Sequence, residues 1–230
     1  MFASFDFDVI RRSLGYLFID GMTFTLTLTG LAALGGLVFG TLIALMRLSG
    51  FRLLGRIAGL YVDLMRSLPL VLVIFWFYFL VPYIGQLLTG ASRPIRVGSF
   101  TSSLVTFIMF EAAYFSEIMR AGIQSISKGQ HAAAQALGLT YSQTMRYVVL
   151  PQAFRNMLPV LLTQTIVLFQ DTSLVYVLSI PDFLGAASKV AQRDGRLTEM
   201  YLFAALVYFL ICFTASFFVK RLQRRISIIR

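Results

Sequence analysis

Apolar runs of about 20 residues, separated by short polar stretches, recur along the 230-residue chain. A helix that crosses the hydrocarbon of a bilayer needs a run of this length, and its backbone polar groups must be bonded within the segment. The pattern therefore predicts an all-α integral membrane protein with about five transmembrane helices. In chain order, the predicted spans are Gly21 to Met46, Ala58 to Val81, Gly98 to Met119, Ala153 to Ser173 and Met200 to Val219.

The first span begins with a pattern that also fits a strand. Threonines alternate with other residues over positions 23–29, which is the period of two typical of a half-buried strand. The apolar run continues through Val38, however, and its length favours a helix. Gly36 and Gly40 have the spacing that lets two membrane helices pack closely.

Composition excludes an ordinary soluble domain. Hydrophobic residues make up 58% of the chain, charged residues only 13%, and the mean hydropathy is +0.79. Soluble domains carry about 25% charged residues. The single cysteine, Cys212, and the single histidine, His131, cannot form a disulfide framework or a Cys/His metal site.

The net charge of +10 is distributed as a topology signal, so we expect no nucleic-acid partner. If the C-terminus is cytoplasmic, the inside segments hold twelve basic residues and the outside segments hold seven. The positive-inside rule favours this arrangement. We therefore predict one transmembrane domain over residues 1–230, with an N-terminus that faces the exterior or periplasm and a cytoplasmic C-terminus.

The segment 128–151, between the third and fourth predicted spans, is the most informative part of the chain. Its alanine-rich start predicts a short surface helix, Gly138 a sharp turn, and the following residues a second short helix that Pro151 separates from the next span. From the helix pattern alone, an ordinary cytoplasmic connector is an equally good interpretation.

The same segment resembles the signature loop of ABC-importer permeases, which reads Glu-Ala-Ala, three residues, Gly, nine residues, Ile, one residue, Leu-Pro. Ala132 stands at the position of the signature glutamate, so the charged contact which that glutamate provides in the family is absent here. The matching residues are Ala133, Ala134, Gly138, Leu150 and Pro151, with Val148 in place of isoleucine.

The resemblance implies the fold of a type I ABC importer permease, in which this loop forms a cytoplasmic coupling helix that docks on an ATPase subunit. No phosphate-binding Gly-rich loop surrounds Lys128, Lys189 or Lys220, so the chain itself is not expected to hydrolyse ATP. The chain is therefore expected to carry no cofactor, with ATP and Mg²⁺ held by the partner ATPase subunits.

Other motifs resemble the polar amino-acid uptake branch of the family, and most closely its glutamate/aspartate permeases. They lie at residues 61–70, 110–126 and 168–177. This resemblance implies a bacterial inner membrane and several partners. These are a second homologous permease in a heterodimer (or, alternatively, a homodimer), two ATP-binding-cassette subunits, a periplasmic amino-acid-binding protein and membrane lipid.

Charged residues within membrane segments are costly and are usually paired or functional. The spacing of i, i+3 predicts two structural ion pairs, Asp63 with Arg66 and Glu117 with Arg120. Glu111 lies deeper in its span, and the sequence suggests no partner for it.

The fourth span contains the candidate substrate pathway. The polar residues of this span lie within the membrane, beyond the bilayer midplane. Side-chain hydrogen bonds to the backbone near Asp171 are expected to interrupt the helix. Hydrogen bonding between helices is the alternative role for these side chains. The predicted pathway residues are Gln164, Gln170, Asp171, Thr172 and Ser173, with Arg66 if it faces the cavity.

Three other functions are weaker interpretations. An ion-gradient-driven amino-acid transporter predicts inverted repeats, and the sequence shows none. A membrane hydrolase needs His131 near a serine, whereas His131 falls in the predicted cytoplasmic loop. A channel leaves the loop at 128–151 without a role.

Overall fold

The computed structural model describes residues 5–226, and every regular element in that range is helical. Arg230, which was counted in the charge balance, lies outside the described residues. The α-helices are α1 (Phe7–Gly15), α2 (Thr23–Leu48), α3 (Arg52–Ser67), α4 (Leu70–Phe75), α5 (Val81–Thr89), α6 (Ser99–Gln124), α7 (Lys128–Ala136), α8 (Tyr141–Gln143), α9 (Leu150–Asp171), α10 (Phe183–Asp194) and α11 (Leu197–Ile226). The remaining helical segments are π-helical at Tyr16–Met22, Trp76–Leu80 and Thr144–Val149, and 3₁₀ at Thr172–Leu178.

Four continuous helical stretches in the described range are long and apolar enough to cross a membrane: Phe7–Leu48, Leu70–Thr89, Tyr141–Leu178 and Leu197–Ile226. Helix α6 has 26 residues, about 39 Å of helix, but it is less apolar than these four stretches and falls outside this group. The all-α prediction is confirmed for residues 5–226. The number of spans stays a prediction, with α6 as the fifth candidate.

The second predicted span, Ala58 to Val81, is wrong as one continuous helix. Helix α3 ends at Ser67, and α4 begins at Leu70. Leu68, between them, has an extended backbone with φ −101° and ψ 139°, because the ring of Pro69 disfavours helical geometry in the preceding residue. The apolar stretch that can cross the bilayer is Leu70–Thr89, and α3 is a separate helix.

Helices α2 and α6 approach each other closely at glycines. A Cβ atom on Gly36 would lie 2.8 Å from the Cβ of Glu111, and one on Gly40 would lie 2.9 Å from the Cβ of Phe115. No other residue type fits these positions without moving α6. The predicted close packing at this pair of glycines is therefore confirmed.

Helix α9 packs on α6 at a further glycine. A Cβ on Gly122 would lie 2.9 Å from the Cβ of Met157. Helices α2, α6 and α9 thus form the centre of the molecule.

A second hydrophobic core lies beside this centre. It joins the Tyr16–Met22 segment, α10 and α11, and Phe183 and Met200 are fully buried in it. An ion pair of 3.1 Å between Arg12 and Asp194 ties α1 to the end of α10.

Candidate functional site

The turn after α7 has the hydrogen bonds of a Schellman helix end. The amide of Leu139 donates to the carbonyl of Ala134 at 3.1 Å, and the amide of Gly138 donates to that of Gln135 at 2.9 Å. Gly138 has a φ of 78°, a left-handed conformation that glycine adopts without a steric cost. Local backbone geometry thus explains why glycine stands at this signature position.

The chain re-enters a helix immediately after the turn. Thr140 caps it, because its hydroxyl accepts from the amide of Gln143 at 3.4 Å while the Gln143 side chain accepts from the amide of Thr140 at 2.9 Å. This reciprocal capping fixes where the new helix starts.

The predicted separation between a second short helix and the fourth span is wrong. The chain is continuously helical over Tyr141–Leu178, and Pro151 lies inside this stretch, in the first turn of α9. Proline is tolerated in a first helical turn, and the preceding Thr144–Val149 segment has the wider π geometry. The helix therefore passes the proline without a break.

The outer surface of this loop is open to a partner. Ala132, Ala133 and Gly138 are exposed, as are the side chains of Leu137 (82%) and Tyr141 (76%). Ala134, by contrast, is buried. Small side chains beside two exposed apolar ones give a surface suited to close docking of another protein. The following signature residues complete the loop: Val148 is half-buried, and Leu150 and Pro151 are exposed.

Glu111 lies at the centre of the molecule and is fully buried. Its Oε1 accepts a hydrogen bond of 3.2 Å from Nε2 of Gln164 on α9. Its Oε2 has no hydrogen-bond partner within residues 5–226. Gln164 is thus the partner of Glu111 that the sequence did not suggest. The contact joins a predicted pathway residue to a buried carboxyl group.

The rest of the polar run divides between two environments. Asp171 follows Gln164 by seven residues, which places both on the same face of α9, and it is an electrostatic neighbour of Glu111. Thr172 is fully buried and donates to the carbonyl of Phe169 at 2.7 Å, whereas Gln170 is exposed and Ser173 is half-buried.

The α-helical geometry ends at Asp171 and the chain continues directly as a 3₁₀ helix to Leu178, so the predicted break is wrong and the structure shows a change of helix type at this point. The hydroxyl of Thr172 bonds back to the preceding turn at this transition.

Arg66 contacts α6 and forms no hydrogen bond with this polar run within residues 5–226. Its guanidinium stacks over the ring of Tyr114, 5.4 Å from the ring centroid, and no ion pair joins it to Asp63 in the described part of the chain. The predicted Asp63–Arg66 pair is therefore not formed, because the aromatic face of Tyr114 takes the arginine instead. Tyr114 follows Glu111 by one helical turn on α6.

Glu117 accepts from two arginines. Arg120 on the same helix is the partner that the spacing predicted, and Arg47 at the end of α2 is a second partner. Sequence reasoning missed Arg47 because it lies 70 residues away, and only packing brings it to Glu117. The carboxylate thus ties the ends of α2 and α6 together.

No group of three or more potential metal ligands occurs among residues 5–226. Cys212 is a buried free thiol in α11. The polar centre offers hydrogen-bonding groups and carboxyl groups.

Comparison with known proteins identifies the family. Residues 36–228 match the family described as "Binding-protein-dependent transport system inner membrane component". The chain belongs to this family. It is 53% identical over 221 residues to the glutamate/aspartate import permease protein GltK of Escherichia coli O157:H7, covering 96% of this chain and 98% of that protein. It is also 33% identical over 225 residues to the glutamine transport system permease protein GlnP of E. coli K12, with coverages of 98% and 99%.

Solved structures share the fold. An amino acid ABC transporter crystallised with histidines matches with a TM-score of 0.86 and 33% identity, covering 96% of this chain and 98% of that one. The inward-facing MetNI methionine ABC transporter matches with a TM-score of 0.73 at 18% identity, a likeness of fold alone. The predicted type I ABC importer permease fold is confirmed, and the chain is a permease component of an inner-membrane transport system.

Proposed function

We propose that this permease takes up amino acids, specifically glutamate and aspartate, as part of an ATP-driven importer. Its similarity to an import permease for these two amino acids, at 53% identity over nearly the whole chain, supports the substrate class. The partners of this proposal are a second homologous permease, two ATP-binding-cassette subunits that hold ATP and Mg²⁺, and a periplasmic amino-acid-binding protein. The N-terminus is periplasmic and the C-terminus cytoplasmic in this proposal.

The observation that carries the proposal is the geometry of the 128–151 loop. Its backbone bonds are satisfied internally by the Schellman turn and the Thr140 cap, while Leu137 and Tyr141 remain exposed. A rigid loop with an exposed surface transmits a displacement from a docked partner to the helix that follows it. That helix is continuous from Tyr141 to the polar residues around Asp171, about 45 Å away along its axis.

An acidic amino acid needs hydrogen-bond donors for two carboxylates and an acceptor for its ammonium group. In the proposed pathway Gln164, Gln170 and Ser173 are the donors, whereas Thr172, whose hydroxyl already donates to the carbonyl of Phe169, shapes the helix beside them. Asp171 supplies the negative charge that an ammonium group requires, and Glu111 holds Gln164 in place through the 3.2 Å hydrogen bond. Arg66, which stacks on Tyr114, would supply positive charge if the pathway extends to that side of α6.

Transport follows from a shift between two permease conformations. The ATPase subunits must bind the 128–151 loop with different affinity in their two states, since a partner with equal affinity shifts no equilibrium. The polar residues of the proposed pathway are then accessible from outside in one conformation and from the cytoplasm in the other.

The experiment that tests the function is ATP hydrolysis by the assembled complex. The chain is co-purified with candidate ATPase subunits and reconstituted, and the binding protein is added with or without glutamate. We expect the loaded binding protein to stimulate hydrolysis, and a double Leu137→Ala/Tyr141→Ala variant to lose ATPase binding. A chain that never binds an ATPase subunit contradicts the proposal.

The pathway residues have a separate test. We expect Gln170→Leu to reduce glutamate uptake without lowering ATPase-subunit binding. Gln86→Leu, a similar change on α5 outside the polar run, is the control and should leave uptake unchanged. Equal transport kinetics for the wild type and Gln170→Leu in reconstituted vesicles would exclude Gln170 from the pathway.

A further inference from the structure

A groove of about 540 Å³ runs between α2, α3 and α6, on a different side of α6 from the Glu111–Gln164 contact. Helix α2 contributes Phe39, Ile43 and Met46 to its walls. The facing walls come from α3 and α6, and include Ile57, Tyr61, Val105 and Ile108.

The groove offers nothing to a polar ligand. Its one hydroxyl, that of Tyr61, already donates to the carbonyl of Met109 at 2.6 Å, and the other side chains in its walls are apolar. Phe39 and Met46 mark its extent along α2, seven residues or about 10 Å apart. The dimensions and chemistry are those of a slot for a hydrocarbon chain.

One end of the groove is beside a run of arginines. Met46 directly precedes Arg47, and Ile57 directly follows Arg56. The segment 47–56 holds a third arginine, Arg52, and no acidic residue. Arg47 is paired with Glu117, but Arg52 and Arg56 are exposed and form no ion pair within residues 5–226. Positive charge therefore flanks the mouth of an apolar slot.

We propose that this groove binds one acyl chain of an anionic phospholipid, whose headgroup is held by Arg52 and Arg56. Charge complementarity selects the occupant: a zwitterionic lipid fills the slot equally well, but the positive charge of its headgroup offsets the attraction between its phosphate and the two guanidinium groups. Helix α3 supports the assignment, because its apolar side chains Leu53 and Leu60 are about 70% exposed and lie within one helical turn of Arg56, so one exposed surface carries both apolar and basic groups. Such a helix lies in the interface between headgroups and acyl chains.

The alternative occupant is a helix of a second permease, which would cover the groove with protein. It predicts that lipid has no access to Phe39, and the experiment below distinguishes the two cases. The lipid site does not depend on which solute the permease carries.

Fluorescence quenching by brominated lipid tests the proposal. Trp76, the only tryptophan, is changed to phenylalanine, and Phe39→Trp then places a reporter in the groove wall. Phe209→Trp is the matched control on α11, since Phe39 and Phe209 are exposed to a similar degree, 53% and 59%. The full chain, with any subunits that co-purify, is reconstituted in phosphatidylcholine vesicles containing phosphatidylglycerol or phosphatidylcholine brominated at mid-chain. The signal of Trp76→Phe alone is subtracted.

We expect Trp fluorescence at position 39 to be quenched by brominated phosphatidylglycerol with about tenfold higher apparent affinity than by brominated phosphatidylcholine. Position 209 should show no preference, and Arg52→Gln/Arg56→Gln should abolish the preference at position 39. Equal quenching by both lipids at position 39 overturns the proposal, as does a preference that survives the double arginine variant. Absence of quenching at position 39, with normal quenching at 209, shows that protein covers the groove and also overturns it.

Discussion

The centre around Glu111 and the loop that contains Gly138 both depend on glycine, but for opposite reasons. At the centre, Gly36 is needed because the neighbouring helix leaves no room for a Cβ atom. In the loop, a Cβ on Gly138 would meet nothing within 4 Å, and glycine is needed because the backbone has a φ of 78°.

The difference shows how each region is specified. The centre is specified by tertiary packing, and its polar groups face one another away from solvent. The loop is specified by its own backbone hydrogen bonds, and its side chains remain available to a partner. Substitutions should therefore damage folding in the first region and coupling to the ATPase in the second.

The largest effect is expected for Gly36→Leu. The added side chain would collide with the Cβ of Glu111, where a single Cβ atom already comes within 2.8 Å. We expect destabilisation of about 3 kcal/mol, because overpacking forces the helices apart. Thermal unfolding in detergent and the yield of monodisperse protein measure it.

Gly30→Leu is the control on the same helix, because nothing lies within 4 Å of a Cβ at Gly30. Its effect should stay within about 0.5 kcal/mol. Equal stability of the two variants would break the comparison, since it would mean that α2 and α6 do not pack as described.

The two regions also differ in how a helix start is capped, and this difference predicts a pH dependence of stability. Asp182, which caps α10, is buried and can ionise, whereas Thr140 in the loop is exposed and cannot. Burial raises the pKa of Asp182 to about 7, although its carboxylate accepts from the amides of Leu184 and Gly185. The folded protein thus keeps this proton to a higher pH than the unfolded chain does, so the stability contribution is present at low pH and lost as pH rises from about 4 to about 7.

We expect the melting temperature to fall over that pH range in the wild type and to fall less in Asp182→Asn, which cannot ionise. Asp194→Asn, at the other end of α10, is the control. Hydrogen bonding from Arg193 lowers the pKa of Asp194, so the contribution of the Asp194 carboxylate to stability is lost only at more acidic pH. An unchanged slope in Asp182→Asn would show that another group carries the dependence.

In the loop, Gly138→Ala should affect coupling rather than folding of the core. A left-handed conformation costs an alanine about 1–2 kcal/mol, so we expect docking of the ATPase subunit to weaken about tenfold. Binding of purified ATPase subunits measures it. Gly129→Ala in α7 is the control, because Gly129 lies in regular helix. A melting temperature lowered as much as by Gly36→Leu would contradict the assignment of this loop as a local structure.

The smallest effect is expected for the ion pairs of Glu117. Arg47→Gln removes the link between α2 and α6 but leaves Arg120 on the carboxylate, so we expect a loss of about 1 kcal/mol. Chemical denaturation measures it, with Arg96→Gln in an exposed loop as the control. A loss equal to that of Gly36→Leu would mean that charge, rather than packing, holds these helices together.

Two prolines show how far the sequence predicts this fold. Pro69 ends a helix that the apolar run suggested was continuous, and Pro151 lies within a helix that the sequence suggested was broken. A proline in the sequence does not by itself predict the backbone conformation of the residues before it, and that conformation decides whether the helix ends. Leu68 is extended before Pro69, whereas the π-helical Thr144–Val149 segment precedes Pro151.

For the candidate site, the sequence predicted the residues but not the contacts between distant parts of the chain. Polar residues in an apolar span marked Gln164 and Asp171, and local spacing identified the Glu117–Arg120 pair. The contact of Gln164 with Glu111 joins residues 53 positions apart, so only packing reveals it. A seven-residue spacing on α9 was the available signal that Gln164 and Asp171 share a face.

ATP-dependent glutamate uptake into proteoliposomes tests the central claim most directly. The chain is reconstituted with the second permease and the ATPase subunits, and labelled glutamate is supplied with the binding protein. We expect accumulation that requires ATP, continues after ionophores collapse all ion gradients, and fails in the Leu137→Ala/Tyr141→Ala variant. Uptake that follows an imposed sodium or proton gradient and needs no ATP would contradict the account.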